Sequence, residues 1–310
     1  MRGPSARPRI LLTGADGQLG WELARTFAAK GDIFSFDRTG LDLSSPDSIR
    51  ARCREVNPTL ILNAGAYTAV DKAESEPELA MRINGVAPGI LAEEANRLGA
   101  TFIHYSTDYV FDGMARQPYR EDDATAPQNV YGRTKLAGEQ AASSMARRYA
   151  VFRTSWLYSN RRHNFLLTML RLAGERDELR VVVDQIGSPT WVRSVSETTC
   201  QCVFSGAGDG SLCIESGIYH LTAGGHTSWH GFATAILEAM PGELRRASCV
   251  VPIQSSELAT AARRPSYSVL ALDKLEAALS VTIPAWQEQL AACMDERKKP
   301  NSSAGAVSGA

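Results

Sequence analysis

Apolar and polar positions alternate along the first half of the chain in two distinct rhythms. The runs "RILLTG", "DIFSFD", "TLILNAG", "TFIHYST" and "AVFRTSW" are short, β-branched or aromatic, and lack strict polar alternation. That pattern predicts strands covered on both faces, as in a parallel sheet. Between them, "LGWELARTFAAKG", "PDSIRARCREV", "ELAMRINGVAPGILAEEANRLG" and "KLAGEQAASSMARRY" carry apolar residues at helical spacing, and two end in glycine. Strand and helix taken in turn predict an α/β fold, a Rossmann-type doubly wound parallel sheet. "LRVVVD" (residues 179–184) is expected to complete the sheet as a sixth strand.

After about Trp156 the regularity fades. Loops such as "SNRRH", "GAGDGS" and "TAGGHTS" separate shorter helices, and "SVLALDKLEAALS" reads as one late helix. The expected division is a dinucleotide-binding domain over 1–156, a smaller and partly interleaved substrate lobe over 157–298, and a disordered tail over 299–310.

Bulk properties narrow the function. The chain has 310 residues, 44% of them hydrophobic, which suffices for a large core and a cleft between lobes. Its 33 basic and 34 acidic residues nearly cancel, so charge favours neither a nucleic-acid nor a membrane partner. Ile10-Leu11-Leu12 is too short for a signal-peptide core. Six scattered cysteines without a CxxC, and histidines at no zinc spacing, read as reduced thiols in a soluble cytoplasmic protein.

Candidate chemistry collects at the predicted strand ends. "TGADGQLG" sets Gly14, Gly17 and Gly20 three apart between a strand and a helix, where backbone and helix start can approach a diphosphate. A plain strand-to-helix turn explains the same glycines. At the end of the second strand, Asp37 suits the ribose hydroxyls of NADH, whereas Arg38 suits the 2′-phosphate of NADPH. The two signals conflict. In "VYGRTK", Tyr131 and Lys135 stand four apart at the start of a helix, one turn from each other. A phenol titrates near about 10, and a neighbouring ammonium is expected to bring it into use as a proton donor. Thr107 is positioned to donate to the same carbonyl oxygen. Each residue has a plainer alternative: Asp42 as a solvated cap, Trp156 as core, and Arg263 and Arg264 as a charged bend before proline.

Taken together, "TGADGQLG", "NAGAYTAVDKAESEPELAMRIN", "YSTDYVFDG", "YGRTKLAGE", "RTSWLY", "DQIGSPTW", "YHLTAGGHTSWHGFA" and "RRPSYSVLALDKL" resemble the extended short-chain dehydrogenase/reductases, in the branch acting on nucleotide sugars. The likeness runs from about residue 9 to 297. It implies NAD(P)H-dependent reduction of the C4 ketone of dTDP-4-dehydro-L-rhamnose to dTDP-L-rhamnose, by a monomer or homodimer. Carried over by position, it implies Thr107, Tyr131 and Lys135 as the catalytic trio, Lys135 also holding the nicotinamide ribose. Gly14, Gly17, Gln18 and Leu19 would cradle the diphosphate, and Asp42 and Leu43 would lie near the adenine. Ala64, Ala66 and Tyr67 would line the cofactor cleft, and Thr68, Asp108, Tyr109 and Trp156 would meet the sugar. Some relatives dimerise through a carboxylate-bridged metal, but no Mg2+ ligand set is identified in this sequence. The adjacent Arg161 and Arg162 depart from the pattern, where similar proteins often carry smaller residues. Two rivals share the fold: a nucleotide-sugar epimerase or dehydratase, and a non-catalytic regulatory subunit of the methionine adenosyltransferase type.

Overall fold

The computed structural model describes residues 7–205 and 210–298. The expected tail over 299–310 lies outside the described residues. Strands β1 (Arg9–Thr13), β2 (Asp32–Phe36), β3 (Leu60–Asn63), β4 (Thr101–Thr107) and β5 (Tyr149–Thr154) form an all-parallel sheet. A later strand, Gly217–His220, pairs in parallel with the outer edge of β5. The order from that edge is Gly217–His220, β5, β4, β3, β1, β2.

Successive side chains of a strand point to opposite faces, and the core divides accordingly. Ile10, Leu12, Leu60, Leu62 and Ile103 pack on one side with Leu23 and Phe27 of helix α1 (Gln18–Phe27). Leu11, Ile61, Phe102 and Val151 pack on the other. There they meet α2 (Pro46–Val56), α3 (Ala87–Leu98) and α4 (Val130–Met145) through Ile49, Leu91 and Ala142. Because these strand residues are fully buried on both faces, truncating one such as Leu12 to Ala costs about 2–5 kcal/mol.

The sixth strand is not the expected one. Glu178–Val182 forms a separate two-stranded sheet with Cys249–Ile253. Its Leu179 and Val181 are buried while Glu178 and Arg180 are exposed, the alternation of a strand covered on one side only. The strand that does complete the large sheet reads "GIYH" and carries no β-branched run to announce it. Two further differences are local. Residues 267–270 pair with other segments, so the late helix spans only Asp273–Leu279. In the helical stretch from Pro77 to Leu98, Arg82–Val86 widens into a π turn just before Pro88, which has no N–H for the helical ladder.

From β2 to β5 the sheet order runs 2-1-3-4-5, so the chain changes direction beside β1. The crevice outside the carboxyl ends of β1 and β3 is the topological switch point at which doubly wound sheets bind ligands. Among the described residues, no helix is long and apolar enough to cross a membrane.

Candidate active site

One cleft of about 770 Å³ opens at those strand ends, and every residue singled out above as catalytic, cofactor-binding or sugar-facing lines it except Gly20. Gly14 follows β1 at φ +68°, and a Cβ there would stand 2.6 Å from Gly65 Cα, so the β1 loop can approach the β3 loop this closely only because residue 14 is glycine. Gly17 N–H closes the loop on Gly14 O at 2.9 Å, leaving the N–H groups of Gln18 and Leu19 at the helix start without an intrahelical partner. The Gln18 side chain is turned away from them, its Oε1 accepting from Ser159 Oγ (2.8 Å) and Asn164 Nδ2 (3.0 Å).

At the adenosine end, Asp37 Oδ1 accepts three hydrogen bonds from its own turn: Thr39 N, Thr39 Oγ1 and Gly40 N. These hold its carboxyl below the usual range. Asp42 is held low in the same way by Ser44 N and Oγ.

The other end is built from β4 and α4. Asn129 caps α4, its Oδ1 accepting from Gly132 N at 2.7 Å. Gly132 lets the helix seat itself, since a Cβ there would meet Tyr109 O at 2.2 Å. Tyr131 and Lys135 follow on successive turns, with the Tyr131 ring edge-on to Tyr109 at 5.6 Å. Burial pushes the Tyr131 phenol up to about 12, against a lowering by its hydrogen bond with Thr107. Burial pushes Lys135 down to about 8, opposed by the negative charge of Glu139 one turn on. Lys135 Nζ does not reach Tyr131 as the spacing suggested; it donates to Tyr105 O at 2.5 Å and lies 3.4 Å from His104 Nε2. Asp108 is pushed up to about 6 by burial, and its Oδ1 accepts from the Thr107 hydroxyl at 3.0 Å. Thr107 is therefore tied to Asp108 and Tyr131 as well as facing the cleft.

Several side chains that the sequence did not single out support this end. Thr13, Asn63 and His104 are register partners on β1, β3 and β4 and form a buried row leading to Lys135. Asn84, in the π turn, clasps the Tyr67 backbone from both sides (Oδ1 to Tyr67 N 2.8 Å, Nδ2 to Tyr67 O 3.0 Å). Trp229 lies parallel to Trp156 with centroids 3.5 Å apart, and Trp156 itself sits at φ +47°. Trp229 and Tyr109 also line a second cavity of about 580 Å³, with Arg263, Arg264 and Gln185. Arg264 pairs with Asp71 at 2.7 Å. Asp184 is occupied structurally, bonding Ser255 N and Oγ.

A dinucleotide suits these groups. Diphosphate-facing N–H donors stand at one point of the cleft, and the buried Ser106 and Thr154 hydroxyls at the other end have no partner among the described residues. Among the described residues no group of three or more His, Cys, Asp and Glu is arranged to hold a metal.

A family model described as the RmlD substrate binding domain matches residues 8–299. The chain belongs to this family. It is 44% identical over 291 residues to the dTDP-4-dehydrorhamnose reductase of Burkholderia thailandensis, covering 92% of this chain and 98% of that one. With the enzyme of the same name from Escherichia coli K12 it shares 42% over 290 residues, 90% of this chain and 94% of the other. A crystal structure of dTDP-4-dehydrorhamnose reductase from Bacillus anthracis, in complex with NADP, superposes with a TM-score of 0.86 at 35% identity, covering 94% and 99% of the two chains. The fold extends further: a Thermus thermophilus UDP-glucose 4-epimerase superposes with a TM-score of 0.76 at 18% identity. That likeness is one of fold, which does not by itself fix the reaction.

Proposed function

We propose that this chain is a dTDP-4-dehydrorhamnose reductase, which converts the C4 ketone of dTDP-4-dehydro-L-rhamnose into the alcohol of dTDP-L-rhamnose with NADPH. The observation that carries the reading is a buried phenol, Tyr131, kept protonated beside Thr107 at the end of a dinucleotide-shaped cleft, in a chain 40–44% identical to several enzymes of that name. NADPH supplies the hydride to C4.

The remaining work belongs to the chain. Tyr131 gives its proton to O4 as negative charge develops there, and its raised pKa means the acid is in the protonated form at neutral pH. Thr107 orients the phenol and shares the oxygen. Lys135, an ammonium made more acidic by burial and seated on Tyr105 O, holds the nicotinamide ribose. Gly14, Gly17, Gln18 and Leu19 receive the diphosphate, Asp42 and Leu43 border the adenine, and Ala64, Ala66 and Tyr67 wall the nicotinamide side. Thr68, Asp108, Tyr109 and Trp156 meet the sugar, and the lobe over 157–298 encloses its nucleotide. We assign NADPH over NADH because Asp37 spends Oδ1 on its own turn, whereas the Arg38 guanidinium lines the same cleft with no hydrogen-bond partner among the described residues and can meet a 2′-phosphate. The six unpaired cysteines suit a reducing, cytoplasmic compartment.

The test is a coupled assay with the keto-sugar, comparing NADPH with NADH. One NADPH oxidised per sugar reduced is the expected result. Product formed with no net cofactor oxidation would identify an epimerase instead.

A further inference from the structure

The loop over residues 159–164 lies against the glycine loop, and Arg162 sits within it at φ +59°. An arginine in left-handed backbone is strained, and such strain persists only where the surroundings over-determine it. Here Asn164 does so: its Nδ2 has the carbonyls of Ser159, Arg161 and Arg162, and Gln18 Oε1, within 3.2 Å. The result is a fixed direction for the Arg162 side chain. Nε donates to Asp16 O at 2.6 Å and Nη2 to Asp16 Oδ2 at 3.1 Å, so the guanidinium is pinned to the middle of the Gly14–Gly17 turn. Among the described residues Nη1 has no hydrogen-bond partner. The neighbouring Arg161 takes another course, its guanidinium 3.6 Å from the Trp21 ring centroid.

Charge along the cleft makes the placement informative. Three basic side chains line it: Arg38 beside Asp37 and Asp42, Lys135 on Tyr105 O, and Arg162 at the glycine loop. A dinucleotide diphosphate carries two negative charges, and the loop that would receive it contains an acid of its own, Asp16. With Asp16 unpaired the loop would repel the ligand. Arg162 is the cation that cancels this charge, and it keeps donors in hand after bonding Asp16.

We propose that Arg162 is a cofactor-binding residue: anchored on Asp16, its guanidinium lies over the glycine loop and pairs with the diphosphate of the dinucleotide. This rests on the dinucleotide reading of the cleft. It also gives the arginine pair, anomalous in sequence, two separate jobs, one packing on α1 and one binding the ligand.

The decisive variant is Arg162→Gly, since glycine adopts φ +59° without strain and the fold is kept. Binding of NADPH, without sugar, is followed by titration of its nicotinamide fluorescence at several salt concentrations. Dissociation constants about tenfold above wild type at low salt, converging with wild type at high salt, are expected for a lost charge-assisted contact at the cleft rim. Arg162→Asn, which also accepts left-handed backbone, should repeat the loss. Wild-type affinity in both variants would overturn the proposal. The double variant Asp16→Asn with Arg162→Gly should stay weak; a return to wild-type affinity would mean that Arg162 merely cancels Asp16, and direct pairing would be wrong. A wild-type protein that binds no dinucleotide would overturn the reading of the cleft and this proposal with it.

Discussion

The two ends of the cleft treat the same residue types in opposite ways. At the adenosine end, Asp37 and Asp42 are held by their own turns and kept below the usual carboxylate range. At the catalytic end, Asp108 rises to about 6, Tyr131 rises to about 12 and Lys135 falls to about 8, each chiefly because burial penalises the charged form. Local hydrogen bonds make an acid inert at neutral pH. Desolvation brings Asp108 and Lys135 toward the range where a proton can move and keeps the Tyr131 phenol protonated, and such perturbed groups gather where chemistry is done.

The contrast can be broken most severely through the charge that supports the buried end. Glu139 grips Arg153 in a buried two-pronged pair (3.0 and 2.8 Å). Glu139→Gln leaves that guanidinium uncompensated and should cost about 3–5 kcal/mol, read as a lower denaturant midpoint. A variant as stable as wild type would show that this end does not depend on the pair. Next in size, Tyr131→Phe should lower kcat about 100-fold or more with NADPH affinity unchanged. Unchanged turnover would end the proposed mechanism.

Asp108→Asn tests desolvation directly. Because the folded pKa lies above the unfolded value, the wild type's stabilising contribution is complete below about 3.8 and is lost as pH rises through about 6. Asn carries no such loss, so the variant should be more stable by about 3 kcal/mol at pH 8 and nearly equal at pH 4. Melting curves at both pH values decide this, and a pH-independent difference would refute it. The smallest effect belongs to the exposed end: Asp37→Ala should lower the melting temperature slightly, through the lost turn hydrogen bonds, and leave NADPH affinity no weaker than in the wild type. Weaker NADPH binding in that variant would mean that Asp37, not Arg38, faces the ribose.

Much of the site was legible because its signals are local. Gly14 and Gly20 must lack side chains for the turn itself, since a Cβ on Gly20 would stand 2.0 Å from Gly14 O, and Tyr131 and Lys135 share a helix face by spacing alone. Asn84, His104 and Trp229 gave no such signal. Asn84 works only because a π turn aims it at Tyr67, 17 residues earlier. His104 matters through a row of three strands that no single run of residues displays. Trp229 meets Trp156 from 73 positions away. The same limit explains the edge strand. "LRVVVD" has the composition of a strand, but periodicity reports which faces are buried and not which neighbour buries them, and "GIYH" took the open edge of β5.

By itself, then, the sequence determined the alternating strand and helix plan, the glycine turn after β1, and the phenol and amine one turn apart, because each depends on backbone geometry and spacing within a few residues. Only the tertiary structure decided that Lys135 rests on Tyr105 O and that Arg162 stands over the glycine loop. Those outcomes depend on burial and on contacts between distant segments, and desolvation exists only once the chain has closed around the group.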